Sequence, residues 1–178
     1  LTVETQAAVD PKLFRQALGQ FPTGVCIVTA RVEGEFLGMT MSSFNSLSLD
    51  PPLVLFSVDR RAASLPLWER ATNCTINVLT ENQKDISNRF ARSHSNKWEG
   101  VRIVHNPPEA PALPGVAAVF HGAIWTRHDG GDHRLFIVEV RRFTACADRR
   151  PLVFCNGRNA LLHQTEISAP LWPLDIHY

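Results

Sequence analysis

GMTMSSFNSLSLDPPLVLFSVDR, Gly38 to Arg60, is the stretch from which the rest of the chain is read. It opens on a glycine and then sets small hydroxyl residues at Thr40, Ser42, Ser43, Ser46 and Ser48. The double proline Pro51-Pro52 follows, then an apolar run from Leu53 to Phe56 and the close Ser57-Val58-Asp59-Arg60. The pattern predicts two strands joined at a Pro-marked corner. The short apolar run suits a strand buried on both faces. The hydroxyl run before it is not ordinary core material. It reads either as an edge strand with turn chemistry or, with its backbone N–H groups, as a cradle for a polar, anionic ligand.

Outward from this stretch, the whole chain of 178 residues is the size of one domain and can bury a core without disulfides. A net charge of +1 with 20% charged residues excludes a nucleic-acid footprint and a polybasic membrane patch. There is no membrane-length apolar run and no signal peptide at the start, so a cytoplasmic protein is expected. The cysteines, Cys26, Cys74, Cys146 and Cys155, are widely spaced among β-prone residues and read as buried free thiols rather than as a disulfide, zinc or catalytic set. The histidines show no metal-ligand spacing. No G-x-G-x-x-G follows a strand, and no Walker motif, nucleophile elbow or paired-carboxylate site is present.

On the N-terminal side, Leu1 to Val9 is patternless. Asp10-Pro11 is an N-cap with Pro at the first helical position, and Leu13, Phe14, Ala17, Leu18 and Phe21 follow helical spacing up to Pro22-Thr23-Gly24. Val25 to Ala30 is a strand, and a turn around Gly34 makes a hairpin into the Gly38 stretch. On the C-terminal side, Ala62 to Glu69 is a short helix with Ser64 at its N-cap. Beside Arg60 and Arg61 its start is either a place for a phosphate or a capped end with solvated arginines. Cys74 to Leu79 is a strand. Thr80 to Gln83 has capping-box spacing, and the helix it starts buries Ile86 and Phe90. Asn106 to Gly115 is a stiff, Pro-rich connection. Val116 to Thr126 and Leu135 to Val140 are strands around a sharp Gly130-Gly131-Asp132-His133 turn, and His121 reads as half-buried structure. Arg141 to Arg150 and Pro151 to Phe154 are further strand material. Residues 164–178 form an extended tail, so the domain is expected to span 1–163. Many short strands, few helices and frequent turns predict a mainly β barrel with helical additions.

These motifs resemble the flavin reductase-like family, whose fold is the FMN-binding split β-barrel. The resemblance runs from about Phe14 to Gly157. It is carried by Phe21 to Val25, by Gly38-Met39-Thr40, Ser42-Ser43-Phe44, Ser46, Ser48, Asp50 to Val54 and Asp59-Arg60, by Asn77-Val78-Leu79, and by Gln83 to Ala91. It continues through Lys97 to Val101, the G-D-H-x-x-(F/L)-(I/V)-x-E-V run at Gly131 to Val140, and Pro151 to Gly157. Departures are an extra residue between Arg60 and Ser64, Cys74 in an apolar position, and His121 where a small residue is usual.

The resemblance implies an NAD(P)H:flavin oxidoreductase, the reductase component of a two-component flavin-dependent monooxygenase. It implies FAD or FMN with NADH, NADPH being open, and a homodimer whose reduced flavin diffuses to a separate oxygenase. No nucleic acid or membrane is implied as a partner. Hydride transfer between bound cofactors needs no protein nucleophile, and none is evident. The flavin would be held by Gly38, Met39, Thr40, Met41, Ser42, Ser43 and Ser46 at the ring and ribityl chain. Ser57, Val58, Asp59, Arg60, Ala63, Ser64, Arg89, Phe90 and Ala91 would line the phosphate and ribityl end. His133, with Asp132 fixing its turn, would meet the nicotinamide, and no obligate acid or base is assigned. NADH is favoured because no basic cluster flanks the Gly-Asp-His turn in sequence. Two other readings are a split barrel that binds flavin without turning over nicotinamide, and an oxidase of the pyridoxamine-phosphate type.

Overall fold

A computed structural model describes residues 9–93, 96–104 and 110–162. The expected tail at 164–178, the N-terminal arm at 1–8 and the prolines at 107 and 108 lie outside the described residues. The chain begins with helix α1 (Pro11–Leu18), whose N-cap Asp10 accepts from the N–H groups of Lys12 at 2.8 Å and Leu13 at 3.0 Å. Then come β1 (Thr23–Gly24), β2 (Cys26–Val32), β3 (Glu35–Met41), β4 (Asn45–Leu49) and β5 (Pro52–Asp59). Helix α2 (Leu65–Arg70), β6 (Asn73–Val78), a 3-10 turn (Glu81–Gln83) and α3 (Lys84–Ala91) follow. The chain ends in β7 (Ala118–Gly130), β8 (His133–Ala145), β9 (Val153–Cys155) and β10 (Arg158–Ala160).

Seven strands form one antiparallel sheet in the order β3-β2-β6-β7-β8-β5-β4, and β1, β9 and β10 form a second small sheet. The large sheet is rolled. Inward residues from β2 and β3 at one end and from β5 at the other share a single core with β6 and β8: Val28, Ala30, Leu37, Phe56, Val58, Ile76, Phe136 and Val138. Bulges bend the strands where the roll requires it. Arg141 is the extra residue of β8, between the pairs His121↔Arg142 and Gly122↔Val140. Trp125 is the extra residue of β7, and Leu47 that of β4. The ring is not closed by hydrogen bonds. β3 and β4 remain its two edges, and Ser42 to Phe44 crosses between them. This open sheet is the mainly β barrel with helical additions that the sequence predicts, split along one seam.

Two expectations need correction. Gly38 to Arg60 holds parts of three strands, not two, because the chain breaks at Ser42–Phe44 as well as at the Pro51 corner. The run Leu53 to Phe56 is also not buried on both faces. Val54, Phe56 and Val58 point inward, while Leu53, Leu55 and Ser57 are half-exposed. The strand buried on both faces is β2, from Cys26 to Ala30. Its outer face lies in a second core, where Ile27 joins Val25, Leu79, Phe90, Leu113, Val116 and Leu152. The difference is a covering layer: α3 and the segment 110–116 lie over β2 and β6.

That layer is held by buried polar side chains, each of which has a partner. Thr29 donates to the Pro111 carbonyl, Thr75 to the Ala110 carbonyl at 3.0 Å, and Asn77 accepts from the Leu113 N–H at 2.8 Å. His121 is half-buried, with Nδ1 at 3.0 Å from the Thr75 hydroxyl. Cys26 and Cys74 are buried free thiols, as expected, whereas Cys146 and Cys155 are half-exposed. Burial pushes the Cys74 thiol up to about 12, so it does not ionise near neutrality. The inner core centres on Phe56 stacked on Phe136 at 5.0 Å, with Trp68 edge-on to both.

Gly38 lies over the ring of Phe90, and a Cβ built there would stand 2.3 Å from Phe90 Cε1 and 3.1 Å from Trp98 Cζ2. Gly38→Ala is expected to cost about 1–3 kcal/mol by overpacking. The cost should shrink when the same change is made on a Phe90→Leu background. Urea unfolding of the four proteins checks this, and equal costs on both backgrounds would remove the Phe90 contact as the cause.

Candidate functional site

The residues singled out from the sequence fall into two groups joined at one point. The first is the β3 edge with the end of α3. Thr40 does not offer its hydroxyl to solvent; it donates to the Ser87 carbonyl of α3 at 2.6 Å. Lys97 ties the two elements again, donating to the carbonyls of Gly38 at 3.2 Å and Phe90 at 3.0 Å. Half-buried there, its ammonium is pushed below the usual lysine range by desolvation. Arg89 reaches from α3 to the carbonyls of Asn96, at 3.0 Å, and Glu99. The loop 96–99 and α3 therefore clasp each other through one lysine and one arginine.

The second group is the far end of β5 with the β7–β8 turn. β4 pairs β5 only as far as Leu55, so among the described residues no strand lies on that side of Ser57 to Asp59. Ser43 fills the first of these positions. Its hydroxyl accepts from the Ser57 N–H at 3.0 Å and donates to the Ser57 carbonyl at 3.2 Å. This is the point that joins the two groups. On the other side β8 sets Asp59 opposite His133 in register. Asp59, Arg60, Arg61 and Ala62 then make a tight turn, closed by Ala62 N–H to the Asp59 carbonyl at 2.9 Å, that leads into α2.

The structure separates the singled-out residues by depth. Met41, Val58 and Phe90 are buried in the two cores, so they form the floor under the surface and only their backbone is near it. Ser42, Ser46, Arg60, Ala63 and Ala91 are exposed. Gly38, Met39, Thr40, Ser43, Ser57, Asp59, Ser64 and Arg89 are half-buried. Ser64 occupies the N-cap position of α2 but its side chain makes no capping bond, and its backbone is already helical at φ −85°, ψ −4°. The expected cap is therefore not formed there.

The Gly131-Asp132 turn carries a charge set that the linear sequence hid. Arg60, Arg61 and Arg134 all stand near it, each tied to a carboxylate: Arg60 to Asp129, Arg61 to Asp59 at 2.7 Å, and Arg134 to Asp129 at 2.7 Å and Glu69 at 2.8 Å. The expectation of no basic cluster around the turn is thus corrected. The cluster exists, and its guanidiniums are paired. Asp132 holds His133 Nδ1 at 2.7 Å. Asp129, Glu69 and Lys97 were missed by sequence reasoning. Asp129 was findable: it lies opposite Arg134 in the hairpin register, a cross-strand pair of opposite charge beside the turn. Glu69 and Lys97 carried no such signal. Among the described residues no His/Cys/Asp/Glu group could hold a metal ion. No helix among them is long and apolar enough to cross a membrane.

Three carboxylates here are held below the usual range: Asp59 by its hydrogen bond from Arg61, Asp129 by that from Arg134, and Asp132 by that from His133. A folded-state pKa lowered in this way adds stability above the unfolded value, about 4, and loses it as pH falls through the folded value. Asp129 and Asp132 are exposed and Asp59 is only half-buried, so solvent screening keeps the effect small. Asp59→Asn should therefore be slightly less stable than wild type at pH 7, and the difference should shrink as pH falls below about 4. Urea midpoints across pH 2–8 check this; convergence already near pH 6 would assign the effect to a histidine instead.

Comparison with known proteins gives consistent relatives. A family model described as the flavin reductase like domain matches residues 18–162. The FMN reductase (NADH) SmoA of Agrobacterium fabrum is 40% identical over 148 residues, covering 83% of this chain and 84% of that protein. The reductase subunit HsaB of a flavin-dependent monooxygenase from Rhodococcus jostii is 37% identical over 151 residues, covering 85% of this chain and 77% of that protein. The NADH:FAD oxidoreductase SgcE6 of Streptomyces globisporus, solved in complex with NAD and FAD fragments, superposes with a TM-score of 0.81 at 34% identity. It covers 87% of this chain and 96% of that one.

Proposed function

Because the chain belongs to the flavin reductase-like domain family, we propose that it is an NAD(P)H:flavin oxidoreductase. It transfers a hydride from NADH to FAD or FMN and supplies free reduced flavin to a separate monooxygenase, in aromatic-compound or natural-product metabolism. The observation that carries this reading is the pairing of Asp59 with His133. It sets the Gly-Asp-His turn beside the stretch of β5 that β4 does not reach.

The residues fit a flavin in one testable respect. A flat ring edged with donors and acceptors needs strand-edge backbone, and β3, the Ser42–Phe44 crossing and the end of β5 beyond Ser57 supply it, while the hydroxyls of Thr40 and Ser43 are spent on Ser87 and Ser57. When bound, the flavin supplies the redox chemistry as acceptor of the nicotinamide's hydride. In this reading Gly38 to Ser43 and Ser46 bind the ring and ribityl chain. Ser57 to Arg60, Ala63, Ser64 and the Arg89 to Ala91 end of α3 line the phosphate and ribityl end. His133, oriented by Asp132, meets the nicotinamide. The chain's work is orientation: it fixes two ligands at near-attack distance on a rigid barrel.

In this reading the domain spans 1–163, and 164–178 is a tail outside it. A homodimer goes with this reading, and the exposed apolar face of α1 (Leu13, Phe14, Leu18) and Leu49 on edge strand β4 are surface a second copy would cover. A cytoplasmic setting is supported by four cysteines all free of disulfides.

Purified protein should bleach added FAD or FMN with NADH under anaerobic conditions, at a rate proportional to protein. Tight flavin binding without protein-dependent bleaching would leave a flavin-binding module instead. Peroxide formed from pyridoxamine phosphate would point to the oxidase type. His133→Ala should raise the KM for NADH about three- to tenfold, the loss of about one hydrogen bond, with flavin affinity unchanged. An unchanged KM would remove His133 from the site. Sedimentation should give twice the chain mass, and a monomer at micromolar concentration would overturn the homodimer.

A further inference from the structure

We propose that Asp129 is the positioning residue of the nicotinamide turn and also sets its preference for NADH over NADPH, a role that rests on the reductase reading above. The turn between β7 and β8 consists of only Gly131 and Asp132, with Gly131 at φ +67°, and both residues are exposed. Two bonds tie it to Arg60, the residue that follows β5. The Arg60 N–H donates to the Asp132 carbonyl at 2.9 Å, and Nε donates to the Gly131 carbonyl at 3.0 Å. The second bond depends on where the guanidinium points. Asp129 fixes that direction: its Oδ1 takes Arg60 Nη2 and, at 2.7 Å, Arg134 Nη1. Arg134 is anchored in turn by Glu69 of α2, at 2.8 Å. The chain of contacts runs from α2 through Arg134, Asp129 and Arg60 to the carbonyl two residues before His133.

The two ion pairs of Asp129 have an exposed carboxylate and contribute little to global stability. Their consequence is directional. Asp129 orients Arg60 on the turn, and it also neutralises two guanidiniums that would otherwise favour an extra phosphate. Removing it therefore has two effects. The turn loosens, which weakens NADH. Arg60 and Arg134 lose a shared counter-charge, which favours the ligand that carries one more phosphate. General damage to the fold would weaken both nicotinamides alike.

Asp129→Ala is compared with wild type and with Asp129→Glu in steady-state flavin reduction. The expected result is an NADH KM raised about three- to tenfold, with kcat within about twofold at saturating flavin. The NADPH-to-NADH ratio of kcat/KM should rise, and Asp129→Glu should restore most of the wild-type values. On an Arg60→Met background the Asp129→Ala effect on NADH should largely vanish, because both changes break one contact chain. An NADH KM and a cofactor ratio unchanged from wild type would overturn the proposal.

Hydrogen exchange at the Arg60 amide, followed on the same proteins, gives an answer independent of turnover. It should be faster in Asp129→Ala, and an unchanged rate would also overturn the positioning role. If wild type reduces no flavin, the reductase reading falls while the exchange rate still decides whether Asp129 orders the turn.

Discussion

Seven consecutive residue pairs, from Leu53 opposite Glu139 to Asp59 opposite His133, lock β5 to β8. A slip of one residue would turn every side chain of one strand to the other face. Phe56 and Val58 would leave the core, and the stack of Phe56 on Phe136 would be lost. The same slip would carry His133 away from Asp59 and the turn away from the backbone of Arg60. Core burial and site geometry are therefore set by one register. The apolar alternation Val54, Phe56, Val58 against Phe136 and Val138 enforces it with far more free energy than any polar contact in the site could.

The seam between β3 and β4 is the second consequence of how the sheet rolls. A closed barrel would consume both edges in hydrogen bonds. Here the edges stay apart and are bridged by a covalent crossing, Ser42 to Phe44, pinned by Ser43 on Ser57 and by Phe44 against Phe120 at 5.7 Å. Backbone groups at a seam are fixed by the strands behind them yet are not spent on a neighbouring strand. That combination is what binding a flat, polar ring without side-chain specialisation requires.

Much of this was readable from residue order because it is local. The turn at Gly34 sits where the hairpin needs it, with φ +88°, and the Gly131 turn joins β7 to β8 as expected. Gln83 accepts from the Thr80 N–H at 3.0 Å, one half of the expected capping box. What sequence could not supply is non-local. The arginines at 60, 61 and 134 meet only because β5 and β8 pair, so their cluster is invisible until the sheet is built. Which strand is buried on both faces depends on where α3 and residues 110–116 lie, and neither the apolar run of β5 nor the mixed run of β2 carries that information. The apolar face of α1 was legible as a pattern, but its exposure was not.

The depth of the singled-out residues changes what their motif means. Met41, Val58 and Phe90 lie within or between the runs that carry the resemblance, yet they are in the core. Phe90 has a more specific task. Its ring fills the space that a Gly38 side chain would need, so the two residues are one packing decision written at two distant positions. A glycine at 38 brings α3 close enough for Thr40 to reach the Ser87 carbonyl and for Lys97 to cap Gly38 and Phe90 together. The signature thus encodes mainly the rigid floor beneath a backbone-lined surface. Above such a floor the charged and polar side chains gather at the rim, where Arg60, Asp129 and His133 stand.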